Sequence, residues 1–311
     1  MNAVPKSVIV IAALVAAAGI VGSPAPVQGR VAPDPYAALP STLQLTAIIR
    51  DFKGKYQCGG HPDFERSSTG GNGMCINTVM DELDAQGKPV LRSSGNKVIA
   101  EWKDASNRPI MDPRPYIATK TGDTAGSANA SLNGSMESST HFSQWFRDVS
   151  GVNMSKPVAL TLTRTAGTNT YTFASSIDPT YVARKGFFPI NGELFGNSDQ
   201  GVGIANTNYH FTTEIDTEFM FERGTGQIFT FTGDDDVWVF IDRKLVVDMG
   251  GLHPAKSQSI ELDRLTWLVD GQSYSLKVFH AERHRVQSNF RIDTNLRLRM
   301  VDLPPVSGMY D

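Results

Sequence analysis

The stretch Phe229–Gly251, FTFTGDDDVWVFIDRKLVVDMGG, decides the fold. Two apolar runs flank three consecutive carboxylates, Asp234, Asp235 and Asp236. Val237, Val239 and Ile241 alternate with Trp238 and Phe240, so both faces of this segment are apolar. That pattern predicts a central β-strand covered on both sides. Asp242-Arg243-Lys244 turns the chain, and 245–248 pairs back as a hairpin partner. Three carboxylates between buried strands need a partner for their charge. A hard cation bound by oxygen meets that need at least cost.

Working outward, the period stays at two. Residues 158–163 and 170–173 flank an Ala166–Asn169 turn and predict a hairpin. In 211–222, Ile215, Thr217, Phe219 and Phe221 oppose Glu214, Asp216, Glu218 and Glu222, the pattern of a strand with one wet face. Further strands are expected at 259–262, 274–280 and 290–300, the last alternating most regularly. Many short antiparallel strands with turn signals predict an all-β fold, an antiparallel β-sandwich. Its N-terminal half is long and loop-rich, with one short helix over 142–149 that turns Phe142, Trp145 and Phe146 inward. The polar segment 122–140 is expected to be a mobile, exposed insertion. In HPDFE, His61–Glu65, the expected reading is a turn whose Phe64 docks on the core; the alternative is a strand whose alternating His61, Asp63 and Glu65 bind metal.

The chain of 311 residues, 40% hydrophobic, has enough apolar content for one large all-β domain or two small ones. Its net charge of -3, with no dense Lys/Arg cluster, excludes a phosphate-tracking groove and so nucleic acid as a partner. Lys6, the apolar run 8–21 and the small residues after it read as a secretory signal peptide, residues 1–29. A Pro/Ala-rich linker, 30–42, leads into one domain, 43–311. With no second long apolar run, the expected mature protein is secreted or at the cell surface, without membrane insertion. In an exported chain the simplest use of Cys58 and Cys75 is one disulfide closing a Gly-rich loop. Such a crosslink contributes about 3 kcal/mol in the chain-entropy account.

Three readings of the polar residues remain open. Calcium suits Asp234, Asp235 and Asp236, since it takes six to eight hard oxygens. Zinc suits His280, Glu282 and His284, which share one face if their strand continues; that would make a metal-dependent hydrolase. Without metal, Asp236 pairs with Arg243 or Lys244. No GxSxG, Cys/His pair or nucleotide loop is present, and adjacent aspartates cannot flank a glycosidic bond across the required ~5–10 Å. The expectation is therefore a binding module and not an enzyme.

GDDDVWVFIDRKLVVDMGGLH and FHAERHRVQSNFRIDTNL, with the upstream IRDF, HPDFE, QWFRDVSGVN, FFPINGELFGN and NYHFTTEIDTEFMF, resemble the fibro-slime domain, an extracellular module of bacteria and slime moulds. From about Phe211 onward the chain is also similar to the protective-antigen-type (PA-fourteen) β-sandwich. The resemblance implies calcium held by two consecutive aspartates across a cis peptide, with the ion contacting carbohydrate hydroxyls. Asp234 and Asp235 are the matching pair. Asp236 stands where many relatives have glycine, which leaves a pair shifted by one open. Asp248, His253, His280, Glu282 and Asn289 complete the expected ligand-binding set. The implied role is calcium-dependent binding of an extracellular polysaccharide or glycan, in adhesion or matrix. The alternative is a structural matrix protein without a glycan ligand.

Overall fold

A computed structural model describes Met1 and residues 34–299; the signal-peptide reading lies outside these residues. Before the helical turn α1 (Ser139–Phe142) come β1 (Thr42–Phe52), β2 (Cys75–Ile76), β3 (Asn96–Ala100), β4 (Trp102–Lys103), β5 (Pro109–Ile110) and β6 (Ser127–Leu132). There follow β7 (Asn153–Arg164), β8 (Tyr171–Ala174), α2 (Pro179–Arg184), β9 (Phe211–Met220), β10 (Ile228–Gly233), β11 (Asp236–Ile241) and β12 (Lys244–Met249). The chain ends with β13 (Lys256–Glu261), β14 (Ser273–Glu282), β15 (Phe290–Thr294) and β16 (Arg297–Arg299).

One antiparallel sheet runs β12-β11-β14-β9-β1-β7-β8-β15-β10-β13, with β16 added on β9. It doubles over on itself. Side chains from one half (Ile215, Val237, Val278) and from the other (Phe173, Phe231, Phe290, Ile292) share one buried core, which makes a sandwich. At the two ends of the sheet, the Gln258 amide of β13 bonds both the Asp248 N–H (2.9 Å) and its carbonyl (3.1 Å) on β12. An edge that would otherwise be unpaired is thereby occupied.

The pleat sorts the central strands. Odd residues of β11 (Val237, Val239, Ile241) and even residues of β14 (Leu276, Val278) enter the inner core. Trp238, Phe240, Phe279 and Ala281 face the other way, into a second apolar layer with Phe52, Phe64, Trp145 and Phe146. Strand β11 is thus covered on both sides, as its sequence predicts. The β11–β12 turn carries Asp242 and Arg243, both at positive φ (47° and 69°), the geometry of a tight hairpin turn. Arg243 adds a contact there, donating to the carbonyls of Leu83 and Asp84 at 2.7 Å.

Four expectations need correction. The helix is a single turn ending at Phe142, capped by Ser138, which accepts the His141 N–H at 3.2 Å, and it is joined by a second short helix, α2, that was not expected. Phe142, Trp145 and Phe146 are buried as expected, but the chain reaches them through turns. The segment 122–140 is not a loose insertion: it forms β6 against β3 and buries Asn133, Ser135 and Met136. The outer face of β9 is only partly wet, because Glu214 is buried between Arg50 (2.9 Å) and Lys88. Last, Cys58 and Cys75 are not joined: Cys58 is exposed, whereas Cys75 is buried and its thiol is pushed up to about 12, first by burial. Cys75 packs against Gly251, where a Cβ would stand 3.0 Å from its Sγ. Its burial under the β12–β13 loop keeps it from an exposed partner.

Candidate functional site: the aspartate turn

The turn between β10 and β11 holds the three aspartates, and the Asp234–Asp235 peptide is cis. Gly233 precedes it because Asn289 passes close by; a Cβ there would lie 2.4 Å from the Asn289 carbonyl. Asn289 then grips Asp234, its N–H donating to Oδ1 at 2.5 Å and its amide Nδ2 to Oδ2 at 2.8 Å. The Asp234 carbonyl accepts His280 Nε2 at 2.7 Å. The donor on His280 is therefore Nε2–H, and Nδ1 faces the Thr213 hydroxyl at 3.3 Å as acceptor. Burial holds this imidazole neutral, down at about 4.

Asp235 takes both its donors on Oδ2, from the backbone N–H of Arg283 (3.2 Å) and of His284 (3.0 Å). Its Oδ1 accepts no hydrogen bond among the described residues. Burial raises its pKa well above the carboxylate range. The Arg283 charge works against that, and Asp236 and Asp234 reinforce it.

Asp236 differs from its neighbours. As an even residue it points into the outer layer. There Oδ1 accepts the Gly251 N–H at 2.6 Å and Oδ2 pairs with Arg283 Nε at 2.5 Å. Both partners of this ion pair are fully buried. Asp236 is thus committed to the fold and withdrawn from the expected metal set, and its partner is Arg283, not Arg243 or Lys244. Arg283 also donates to the carbonyls of Asp63 (3.2 Å) and Ser135 (3.1 Å) and lies 4.9 Å from the Trp145 ring centre. This guanidinium is one of the points at which the upstream half is fastened to the sandwich.

Glu282 is fully buried, and neither carboxylate oxygen has a hydrogen-bond partner. The nearby Ser288 hydroxyl donates instead to the Phe187 carbonyl at 2.8 Å. Extending the β11–β14 register by one residue beyond Asp236↔Ala281 sets Glu282 opposite Asp235. Burial, then the charges of Asp235 and Asp234, raise its pKa well above the usual range. Arg283 is faced by Asp236, Asp235 and Asp63, whereas Glu282 is faced by Asp235 and Asp234 and by no cation. The carboxyl oxygens of Asp234, Asp235 and Glu282 are hard donors of the class that calcium takes. Among the described residues, no three or more His, Cys, Asp or Glu side chains are placed so that together they could hold a metal ion.

Asp234 and Asp235 line a cleft of about 150 Å³ together with His253, His284, Arg285 and Asn72. His253 has both ring nitrogens near backbone carbonyls, Pro254 at 2.9 Å and Met249 at 3.3 Å. Asp248 is not at the cleft. It lies opposite Trp238 on β12, accepts the Asn77 N–H at 2.8 Å, and burial pushes it up to about 7. Its removal from the ligand set follows from pleat parity. Trp238 is fully buried and donates to Thr78 Oγ1 at 2.9 Å. The His280, Glu282, His284 face does not form, because β14 stops at Glu282 and His284 turns to the Arg285 carbonyl (2.7 Å). With His280 Nε2–H spent on Asp234, the hydrolase arrangement is absent.

Sequence reasoning gave no role to Arg283, Arg285 or Asn72, and weighed Glu65 only as a metal ligand on a strand, which does not form. Glu65 accepts His210 Nε2 at 3.1 Å and Arg285 Nε at 2.8 Å. Burial alone would raise its carboxyl, but these donors and the nearby His284 hold it at about 2. The reciprocal spacing of HPDFE and HAERHR was the available signal, acid against base, though nothing local pairs them. Phe64 of that motif is buried, as expected.

Residues 169–305 match the family model described as PA14 domain. Protein psiD of Dictyostelium discoideum is 42% identical over 158 residues, 50% of this chain and 29% of that protein. Protein psiR of the same organism is 37% identical over 267 residues, 83% of this chain and 22% of that protein. The chain spans about a fifth to a third of these relatives' length. Among solved structures, the PA14 domain of MpAFP antifreeze protein covers 32% of this chain and 57% of its own at 9% identity, TM-score 0.23. The PA14 sugar-binding domain from RTX adhesin covers 28% and 45% at 15% identity, TM-score 0.21.

Proposed function

We propose that this chain is a secreted, calcium-dependent carbohydrate-binding module that serves adhesion or an extracellular matrix. The observation that carries the reading is the pair Asp234 and Asp235 on the cleft wall, backed by the unpartnered, fully buried Glu282. The signal-like run 8–21 supports export, and the PA14 match supports a binding role over an enzymatic one.

The chain's own groups divide the work. Asn289 and His280 hold Asp234 in place, one through its carboxylate and one through its carbonyl. The N–H groups of Arg283 and His284 orient Asp235 and leave Oδ1 for a ligand. Glu282 adds a third carboxyl behind the pair. Bound calcium would supply coordination positions that sugar hydroxyls can fill in place of water. A glycan array probed in millimolar calcium, and again with chelator, tests this. Binding is expected only with calcium. Binding that survives chelation sinks the cation mechanism, and a blank array sinks the carbohydrate reading in favour of a structural matrix role.

Glu282→Gln gives a second, sign-opposed expectation. Ionising Glu282 costs the folded chain, since its pKa is raised, and that cost grows as pH rises through the unfolded value. The Gln variant should therefore keep its melting temperature without calcium at neutral pH, yet bind calcium about tenfold or more weakly. Calorimetric calcium titration beside a thermal melt reads both. Unchanged calcium affinity removes Glu282 from the site.

A further inference from the structure

The cleft has one wall that the PA14 match does not contain. Residues 68–74 lie far upstream of 169, yet they reach the aspartate turn. They do so because the β12–β13 loop presents no side chain where they cross it. Gly73 N–H donates to the Leu252 carbonyl at 2.7 Å, and Cys75 and Gly250 exchange backbone bonds of 2.6 and 2.8 Å. A Cβ on Gly251 would lie 2.7 Å from the Gly73 carbonyl, and one on Gly250 2.5 Å from Thr78 Oγ1. The other side of the crossing is tied at Asn133, whose carbonyl accepts Gly70 N–H at 3.0 Å and Thr69 Oγ1 at 2.8 Å. Between these anchors Asn72 is exposed and lines the cleft beside Asp234 and Asp235.

We infer that Asn72 is a selectivity-determining contact for sugar hydroxyls, supplied by the upstream segment and not by the PA14 domain. The inference rests on the carbohydrate reading above. An amide both donates and accepts hydrogen bonds, which matches a hydroxyl that does both. Gln287, exposed on the β14–β15 loop, brings a second amide to the same cleft. No Phe, Tyr or Trp is among its lining residues, so it offers no large ring for a sugar to stack on. At about 150 Å³ it is smaller than the roughly 300–1,000 Å³ of ordinary ligand pockets, which suits one terminal sugar residue. A neutral sugar fits better than an acidic one, because the floor carries two carboxylates and Arg285 is committed to Glu65 at 2.8 Å.

The test uses the full chain in millimolar calcium, titrated with free glucose, galactose, mannose, fucose and N-acetylglucosamine. Asn72→Ala should weaken the tightest of these by about fivefold or more, the effect of one lost hydrogen bond, and reorder the panel. Its calcium affinity should stay within about twofold, since one exposed amide outside the carboxylate set is removed. If sugar affinity and ranking are both unchanged, this inference falls while the carbohydrate reading stands. If calcium affinity drops in parallel with sugar affinity, Asn72 acts on the ion site and the inference falls. If the unsubstituted chain binds neither these sugars nor any arrayed glycan, both fall together.

Discussion

Asp235→Asn is expected to abolish calcium-dependent binding while leaving the fold intact. Asn keeps an oxygen for the two N–H donors that Asp235 Oδ2 now accepts, from Arg283 and His284. It loses the negative charge and replaces the free Oδ1 with an amide that cannot ligate a hard cation well. Outer-shell partners of a metal already cost about 10–100-fold when removed, so losing this carboxylate should cost more than about 100-fold in calcium affinity. Stability should not fall, because burial disfavours ionised Asp235 in the folded chain. Calorimetric titration with calcium, paired with a urea melt, reads the two effects separately. Retained calcium affinity would overturn the assignment. An unfolded variant would place Asp235 with the structural residues instead. Asp236→Asn should behave in the opposite way, lowering stability first, since both its oxygens are committed to Arg283 and Gly251.

Arg283→Met should be the most destabilising of these substitutions. It strands Asp236, fully buried, without its cation. It also frees the Asp63 and Ser135 carbonyls and removes the contact with Trp145. Breaking a buried pair by deleting one partner costs about 3–5 kcal/mol, because the remaining charge is uncompensated. Denaturant unfolding should show a loss of this size. The double variant Arg283→Met with Asp236→Asn should recover part of it, since the stranded charge is then gone. A loss below about 1 kcal/mol, or a double variant no better than the single, would show that the pair does not fasten the upstream half. The pair need not make the fold more stable than an apolar replacement would. Its role is to seat one particular upstream segment at the end of β14.

Much of the sandwich was legible because a pleated strand writes its faces into alternate residues. The double-sided apolar run of β11, the hairpin of β7 and β8, and the regular alternation of β15 all follow from local sequence. The aspartate turn was legible for the same reason, as a polar break between buried strands. The errors came where the deciding contact was remote. Segment 122–140 is polar along its length and becomes ordered only by pairing with β3. Asp248 and Asp235 look alike in sequence, but pleat parity and the N-terminal layer send them to different environments.

By itself, the sequence determined an all-β chain organised around Asp234, Asp235 and Asp236, because strand periodicity and charge desolvation act over a few neighbouring residues. Only the tertiary structure decided which carboxylate is spent on the fold and which remain for a ligand. Arg283 claims Asp236 from 47 residues away, leaving Asp235 and the unpartnered Glu282 at the end of the inner face. It also decided that Asn72 joins the cleft and that Cys58 and Cys75 stay apart. Each of these depends on where a distant backbone crosses, and a long-range crossing leaves no periodic trace in the sequence near either residue.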